Sequence, residues 1–564
     1  MIDALNEGQG KALWKKHLAG ILLAVSKSPW LGIAISVRTS YEGTIVPEGL
    51  VPSRLSRAEH HGFAEHEYEA TKTFFDYFGI QRPSIPLLVP EFQNPLFLKI
   101  FCQGLKNNRL TSIPPGLQGI TAIFRFFIDS VNKKLSDAEY LDFNPQLPIV
   151  WRAIEGLAAH LAEQGKDWLP IEEAQAVIDQ VLPRGGYENS LFRHWLAEGV
   201  IAENRFYIGD NQWCEGVHFA YERFTDHLVA QYLLDAHLDT QNSTSSFAPG
   251  TPLARYVQDE RACAIFRGLI EAFTIQVPER VGKELIELVP SIREFDTVIS
   301  AFTESIVWRQ PYCFSLDVTL DYINTYVIRD SDHHDRLLNA LLTVAANPEH
   351  PLNADFLHRN LLQRELAERD SWWSIFLHNQ CNKHNAVDRL VDWAWSPEDK
   401  AHIGDESIRL CGVTLAWFFT ASNRFLRDRA TKALVRLFTH RISMLRTVIQ
   451  SFINVNDLYV FERLMGVAYG CAMRSPDTEA IGSLAVDISA WIFRDGTPPV
   501  HILLRDYARG VIEVALHRGI TLDIDLSRVR PPYNSTFPDD IPSEEELQAK
   551  YDNSYNQHQY GLYI

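Results

Sequence analysis

Leu426-Arg427-Asp428-Arg429-Ala430-Thr431-Lys432-Ala433-Leu434-Val435-Arg436-Leu437-Phe438 is the stretch from which the fold of this chain is read. Its residues 430, 433, 434, 437 and 438 fall at i, i+3, i+4, i+7 and i+8, the spacing that lines one face of an α-helix. The same spacing returns in Leu464, Val467, Ala468, Cys471 and Ala472, and again in Ala508, Val511, Ile512, Ala515 and Leu516. The starts lie 34 and 44 residues apart, and Leu426-Arg427-Asp428 recurs as Leu504-Arg505-Asp506. Such helices bury their apolar stripes only against one another, so residues 253–530 are expected to form a stacked helical array, an α-solenoid. No strand-like alternation of any length precedes residues 521–526 in this region. Trp372, Trp373, Trp393 and Trp395 read as its core, with a concave recognition surface as the alternative.

With 564 residues there is room for three or four domains. A composition of 46% hydrophobic and 22% charged residues is that of a soluble globular protein. The 53 basic and 71 acidic side chains leave a net charge of −18, whose average field repels nucleic acid and anionic membrane while leaving a local basic patch open. Seven cysteines at 102, 214, 263, 313, 381, 411 and 471 form no CxxC pair, which points to buried thiols in a reducing cytoplasm. The apolar run from Leu18 to Val25 is cut off by Ser26 and Lys27, so no membrane segment is expected. The histidines at 60 and 61, 218 and 227, and 333 and 334 have no HExxH or Cys-His spacing, and there is no GxSxG elbow.

Upstream of the array, Val150, Ile154, Leu157 and Leu161 make one helical stripe, residues 171–181 a second, and Leu191, Trp195 and Leu196 begin a third. Gly199 to Ile208 reads as strand, turn and strand, with the bend at Glu203-Asn204. Three helices and a hairpin predict a winged helix over 141–238, followed by a polar linker at 239–252. Asn94-Pro95 before an apolar run is a helix start. Residues 11–25 have helical spacing between two short apolar segments, an order that fits a parallel α/β sheet with Asp3 and Arg38 at the strand ends. Gly8-Gln9-Gly10-Lys11 is no phosphate loop, because GxxxxGK[ST] requires glycine where Leu5 stands and a hydroxyl where Ala12 stands. The tail, 531–564, holds one helix capped by Ser543 and Glu546 and a tyrosine-rich end, either disordered or docking on a partner.

Met1-Ile2-Asp3-Ala4-Leu5-Asn6-Glu7 and Gly32 to Ser40 resemble the Walker B and sensor 1 segments of NACHT-like STAND ATPases, in particular the antiphage AVAST group. Asn94-Pro95-Leu96-Phe97-Leu98 resembles the NPLFL segment of those ATPases, and Val217 to Leu234 is similar to the segment closing the NACHT winged helix. The resemblance implies a mainly α chain: a partial P-loop NTPase α/β remnant (1–58), a helical lid (59–140), a winged helix (141–238), a linker (239–252), a HEAT/TPR-like α-solenoid sensor (253–530) and a tail (531–564). In that scheme Asp3 orients Mg²⁺ and its water, Glu7 polarises the attacking water and Arg38 senses the γ-phosphate. Pro95, in the helix opened by Asn94, packs on adenine. Tyr221 stands where many members have a histidine on the β-phosphate, and its hydroxyl brings no positive charge.

Catalytic acids without a phosphate loop make the chain read as starting in the middle of a domain. ATP and Mg²⁺ are then cofactors only when the missing half is supplied, and the chain alone is expected not to hydrolyse ATP. The implied function is a cytoplasmic sensor that recognises a phage protein through its helical region and self-oligomerises under nucleotide control, without membrane or nucleic acid as partner. Two other readings stay open: a stand-alone α-solenoid adaptor with a vestigial ATPase remnant, and a winged-helix regulator with salt-dependent DNA binding.

Overall fold

The computed structural model describes residues 5, 10–28, 30–37, 46, 56–58, 62–63, 66–82, 86, 88, 90–113, 119–209, 212–537 and 541–551. Among them the chain is mainly helical. Near the start, the expected helix runs Gly10–Ser26. It buries Leu18 against Leu5, with Trp14, Leu22, Ile35, Val37 and Val46 packed around them in a cluster separate from the main core. The Leu5 N–H donates to the Ser36 carbonyl at 2.9 Å. Of residues 30–37, only Ile35 has a bridge partner, and no ladder forms there among the described residues.

Helices Glu67–Phe78, Pro95–Asn107 and Ile120–Leu135 make the next unit. Asn94 Oδ1 accepts from the N–H groups of Leu96 (2.9 Å) and Phe97 (3.2 Å), satisfying two of the donors a helix start leaves open. Pro95 sits at the first helical turn, where its missing N–H costs nothing. Phe97, Leu98, Phe101, Cys102 and Leu105 are then buried in the core that also holds Phe75.

Residues 149–237 run helix Ile149–Gln164, strand β1 Leu169–Pro170, helices Ile171–Val181 and Leu191–Glu198, strands β2 Ile201–Gly209 and β3 Gln212–Phe219, and helix Glu222–His237. The sheet is antiparallel in the order β1-β3-β2. The bend expected at Glu203-Asn204 is not there. Those residues pair with Val217 and Gly216 in mid-strand, and the reversal lies between Gly209 and Gln212. Gly209-Asp210-Asn211 carries the stronger turn chemistry, and it extends β2 beyond the polar pair taken for a bend. Strand β1, two residues long, has no sequence signal of its own; it exists because Leu169 and Pro170 meet Val217 and Gly216. A Cβ at Gly216 would lie 2.5 Å from the Trp168 ring and 2.8 Å from Phe206, so the glycine admits that ring pair, stacked at 4.4 Å.

The polar segment read as a linker is folded. Residues Ser243–Phe247 form a 3₁₀ turn with Ser243, Ser246 and Phe247 buried, and the Phe247 ring meets Phe273 at 6.3 Å. Its hydroxyls bond to nearby backbone: Ser246 Oγ accepts from the Asp239 N–H at 2.8 Å, and Thr251 donates to the Ser246 carbonyl at 2.7 Å. Polar composition here marks local capping in place of exposure to water.

The array that follows has two layers. In the first, helices Arg267–Val281, Asp296–Trp308, Ser331–Val344, Ala386–Trp395, Arg424–Phe438, Leu458–Arg474 and Ile502–His517 each pack on the next. In the second, Ala354–Leu362, Asp405–Trp417, Ile442–Ser451 and Thr478–Ile488 do the same. This arrangement is consistent with an α-solenoid. Every apolar position of the three matched stripes is buried except Leu516, which is partly so. Trp372, Trp373 and Trp393 are core, whereas Trp395 is 41% exposed. Residues 521–525 form no strand.

Helix Glu222–His237 packs against Arg267–Val281, so one continuous core runs from Phe75 to Val529. The array also returns to the earlier helices: Arg389 Nε donates to the Leu88 carbonyl at 3.0 Å, and Glu398 faces Arg82 at 3.6 Å and Lys72 at 3.8 Å. In the tail, Ser543 and Glu546 cap helix Glu544–Tyr551 reciprocally, at 2.9 and 3.2 Å, as the sequence predicts. No helix among the described residues is long and apolar enough to cross a membrane.

Candidate functional site

Asp3, Glu7 and Arg38 lie outside the described residues. The other three candidate positions, Asn94, Pro95 and Tyr221, are described, and the helix that Asn94 and Pro95 open meets Tyr221 along a seam through its residue Phe97. The Phe97 ring, one turn into the helix that Asn94 and Pro95 open, meets Tyr221 at 6.2 Å. Tyr221 also meets Phe124 at 6.1 Å, and it occupies the N-cap position of helix Glu222–His237. Trp308 of the array completes the seam, 6.5 Å from Phe97 and with the Arg223 guanidinium over its ring at 5.2 Å.

While Phe97 and Phe124 are buried and Tyr221 is partly so, Pro95 is exposed. Its ring lies beside Gly62, whose φ of +65° and close approach both exclude a side chain: a Cβ there would overlap the Gln93 carbonyl and come within 3.3 Å of Pro95 Cδ. Tyr221 is half-buried between two phenylalanines and holds the two units together. Its ring packing accounts for its place without any phosphate.

Comparison with protein-family models and with curated proteins finds no match.

A separate cavity of ≈ 370 Å³ is lined by Thr121, Arg125, Gln276, Glu279, Arg280 and Tyr312 among others. Burial pushes the Glu279 carboxyl above its usual range, against the opposing effects of the Thr121 hydroxyl, the Gln310 backbone, Arg309 and Arg125. Arg280 is paired with Asp235. None of this cluster was singled out by the sequence, because its members come from three helices and a loop. All seven cysteines are free, and burial pushes the Cys102 and Cys471 thiols up to about 12, which leaves them inert as nucleophiles. Among the described residues no group of three or more His, Cys, Asp or Glu side chains is arranged to hold a metal ion.

Two buried histidines set an acid limit on this region. Burial, with Arg223 adding to it, lowers His227 to about 3; its ring lies against Phe124 at 5.5 Å. Burial lowers His350 to about 4. The Leu352 N–H donates to His350 Nδ1 at 3.1 Å, so the proton is on Nε2, facing the Ile306 carbonyl at 3.1 Å. A second proton would turn that acceptor against an N–H. Folded values below the unfolded one mean that the folded state binds fewer protons, so stability is present above pH 6.5 and is lost as pH falls toward the folded values. Each histidine is expected to cost about 2 kcal/mol by pH 5. The urea midpoint measured at pH 7.5, 6 and 5 should fall steadily, and His350→Gln should flatten the fall. A midpoint unchanged across that range contradicts the assignment.

Proposed function

We propose that this chain is the C-terminal part of a STAND-type ATPase sensor in antiphage defence. In this reading residues 1–58 close the nucleotide-binding domain, 59–140 form its helical lid, 141–238 its winged helix, and 253–530 the array that recognises a phage protein. ATP and Mg²⁺ are bound when the remainder of the nucleotide-binding domain is supplied, with Asp3, Glu7 and Arg38 as its acids and sensor, and nucleotide state governs self-oligomerisation. The observation that carries the reading is a contact between segments remote in sequence. Phe97, in the helix that Asn94 and Pro95 open, meets Tyr221 at 6.2 Å, and Pro95 itself is exposed. The order helix, strand, helix, helix, strand, strand over 149–219 supports the winged helix. A core that runs unbroken from that unit into the array gives a physical route by which ligand on the array alters the seam.

The adenine contact is tested by saturation-transfer NMR with millimolar adenosine, which carries no phosphate. Transfer to the adenine protons is expected in the native chain and is expected to vanish in Pro95→Ala, a substitution that leaves Asn94 and its cap in place. Leu503→Ala, at an exposed position of the array, serves as the control. No transfer in the native chain, or equal transfer in Pro95→Ala, refutes the nucleotide reading of this seam.

A further inference from the structure

Three successive helices of the first layer end side by side: Ala386–Trp395, Arg424–Phe438 and Leu458–Arg474. Between their C-terminal ends lies an open groove of ≈ 910 Å³, lined among others by Lys400, Lys432, Arg436, Arg441 and Arg474. Glu398 and Asp399 also line it, as does His440. In a chain with 71 acidic side chains against 53 basic ones, cations are expected to find carboxylate partners. Here Arg441 does, reaching Asp405 at 3.5 Å. Among the described residues none of Lys400, Lys432, Arg436 and Arg474 forms an ion pair.

The bonds these cations do make leave their charge in place. Arg436 Nε donates to the Ser396 carbonyl at 2.8 Å, and Arg474 Nη1 to the Gly470 carbonyl at 2.9 Å. Lys400 Nζ donates to the Ser396 carbonyl at 3.0 Å, to its hydroxyl at 3.1 Å and to the Glu398 carbonyl at 3.3 Å. Lys432 Nζ stands 5.3 Å from the centre of the exposed Trp395 ring. Basic side chains at helix C-termini answer the helix dipoles, and that alone accounts for part of the cluster. Each dipole, however, offers only about half a charge. Of the two carboxylates in the lining, Glu398 is shared with Lys72 and Arg82. The groove keeps a positive balance on an otherwise acidic protein.

We infer that this groove is a binding site for an oligophosphate, a di- or triphosphate-bearing small molecule held by Lys432, Arg436 and Arg474. Its size falls in the range of small-molecule sites, roughly 300–1,000 Å³, rather than that of an extended polymer. Guanidinium forks match phosphate oxygens two at a time, and an oligophosphate concentrates the charge that several unpaired cations need. A long nucleic acid would carry its further charges out over an acidic surface. Trp395 at the rim offers a flat face to a base, if the phosphate carries one. Lys400 supplies an internal reporter. Burial, with Arg436 and Arg441 adding to it and Glu398 and Asp399 opposing, holds its amine down to about 8, so an anion in the groove draws a proton onto it.

Titration calorimetry of the full chain with inorganic tripolyphosphate tests the site, run at pH 8 in two buffers of different ionisation heat. The expected result is saturable one-to-one binding with proton uptake, weakened at least tenfold by Lys432→Gln and by Arg436→Gln and unchanged by Pro95→Ala. Lys432 is exposed and holds no backbone carbonyl, so its variant keeps the fold even where Arg436→Gln loosens the Ser396 turn. A nucleoside triphosphate binding more tightly than tripolyphosphate, with the gain lost in Trp395→Leu, identifies the source as a nucleotide; equal affinity identifies the phosphate chain alone. No binding, binding indifferent to both substitutions, or a hexaglutamate peptide binding as tightly as tripolyphosphate would overturn the inference. Because Pro95 is untouched by these substitutions, the seam and the groove succeed or fail separately.

Discussion

Glu284→Ala is expected to destabilise the chain by about 3–5 kcal/mol, because it strands a charge that has no access to water. Arg309 is 0% exposed at its side chain and Glu284 3%. Arg309 Nη1 donates to both carboxylate oxygens, at 2.6 and 2.7 Å, and the guanidinium is enclosed by the rings of Phe314 at 4.2 Å and Phe302 at 5.5 Å. Its Nε and Nη2 have no other hydrogen-bond partner. Glu284 has a second duty as the N-cap of helix Leu285–Leu288, where its own N–H donates to Glu287 Oε2 at 2.7 Å. The substitution therefore removes a counter-ion and a cap together. Replacing both partners, in Glu284→Leu with Arg309→Met, removes the buried charge along with its counter-ion, and that pair of changes is expected to recover most of the loss. Urea unfolding followed by far-ultraviolet circular dichroism distinguishes the two variants. A single mutant within about 0.5 kcal/mol of the native chain would show that the ion pair is not buried as described. Arg309 directly follows Trp308, so unfolding of this turn should also open the seam that carries the functional proposal.

Trp417→Ala is expected to cost a similar about 3–5 kcal/mol, by a different route. Its side chain is fully buried at the end of helix Asp405–Trp417, in the second layer of the array. The indole N–H donates to His358 Nδ1 at 3.0 Å, while His358 Nε2 faces the Ser451 carbonyl at 3.2 Å. Phe452 lies 5.0 Å from the ring and the Arg369 guanidinium 5.1 Å. Truncation leaves a cavity that three helices cannot close, and it deprives a buried imidazole of its donor. Trp417→Phe separates these effects: it retains most of the packing and loses the hydrogen bond, for which about 1–3 kcal/mol is expected. The comparison of chemical-denaturation midpoints across the two variants checks the partition. Equal losses in both would mean that the hydrogen bond, and not the volume, carries the effect.

The two losses bear on function because the core is continuous. Helix Glu222–His237 belongs both to the sheet-bearing unit and, by packing on Arg267–Val281, to the first layer of the array. The segment 239–252 joins them as folded chain, with Ser243, Ser246 and Phe247 buried. Under the proposed function, a signal from ligand bound on the array passes through packed helices to Tyr221 and Phe97, and Glu284→Ala and Trp417→Ala weaken that route at two places.

What could be read from the sequence is what short-range bonding dictates. The stripes at 430–438, 464–472 and 508–516 are buried as their periodicity implies, because a helix puts residues three and four apart on one face whatever surrounds it. The starts at Asn94-Pro95 and Ser543 are equally local, since each cap bonds within three residues. The hairpin reversal was misplaced because a polar pair inside β2 is indistinguishable from a bend until its partner strand is known. Strand β1, the buried pair Glu284 and Arg309, and the convergence of Tyr221 on Phe97 depend on partners distant in the chain. The basic groove is the clearest case. Lys432 and Arg436 stand four residues apart on one helix, but their charge becomes a site only where the ends of two neighbouring helices bring Lys400 and Arg474 beside them. By itself the sequence determined the three amphipathic stripes of the array and the helix starts at Asn94-Pro95 and Ser543. Which cations lack counter-ions, and which side chains close the seam, was decided by the stacking, because charge balance and burial are properties of neighbours in space.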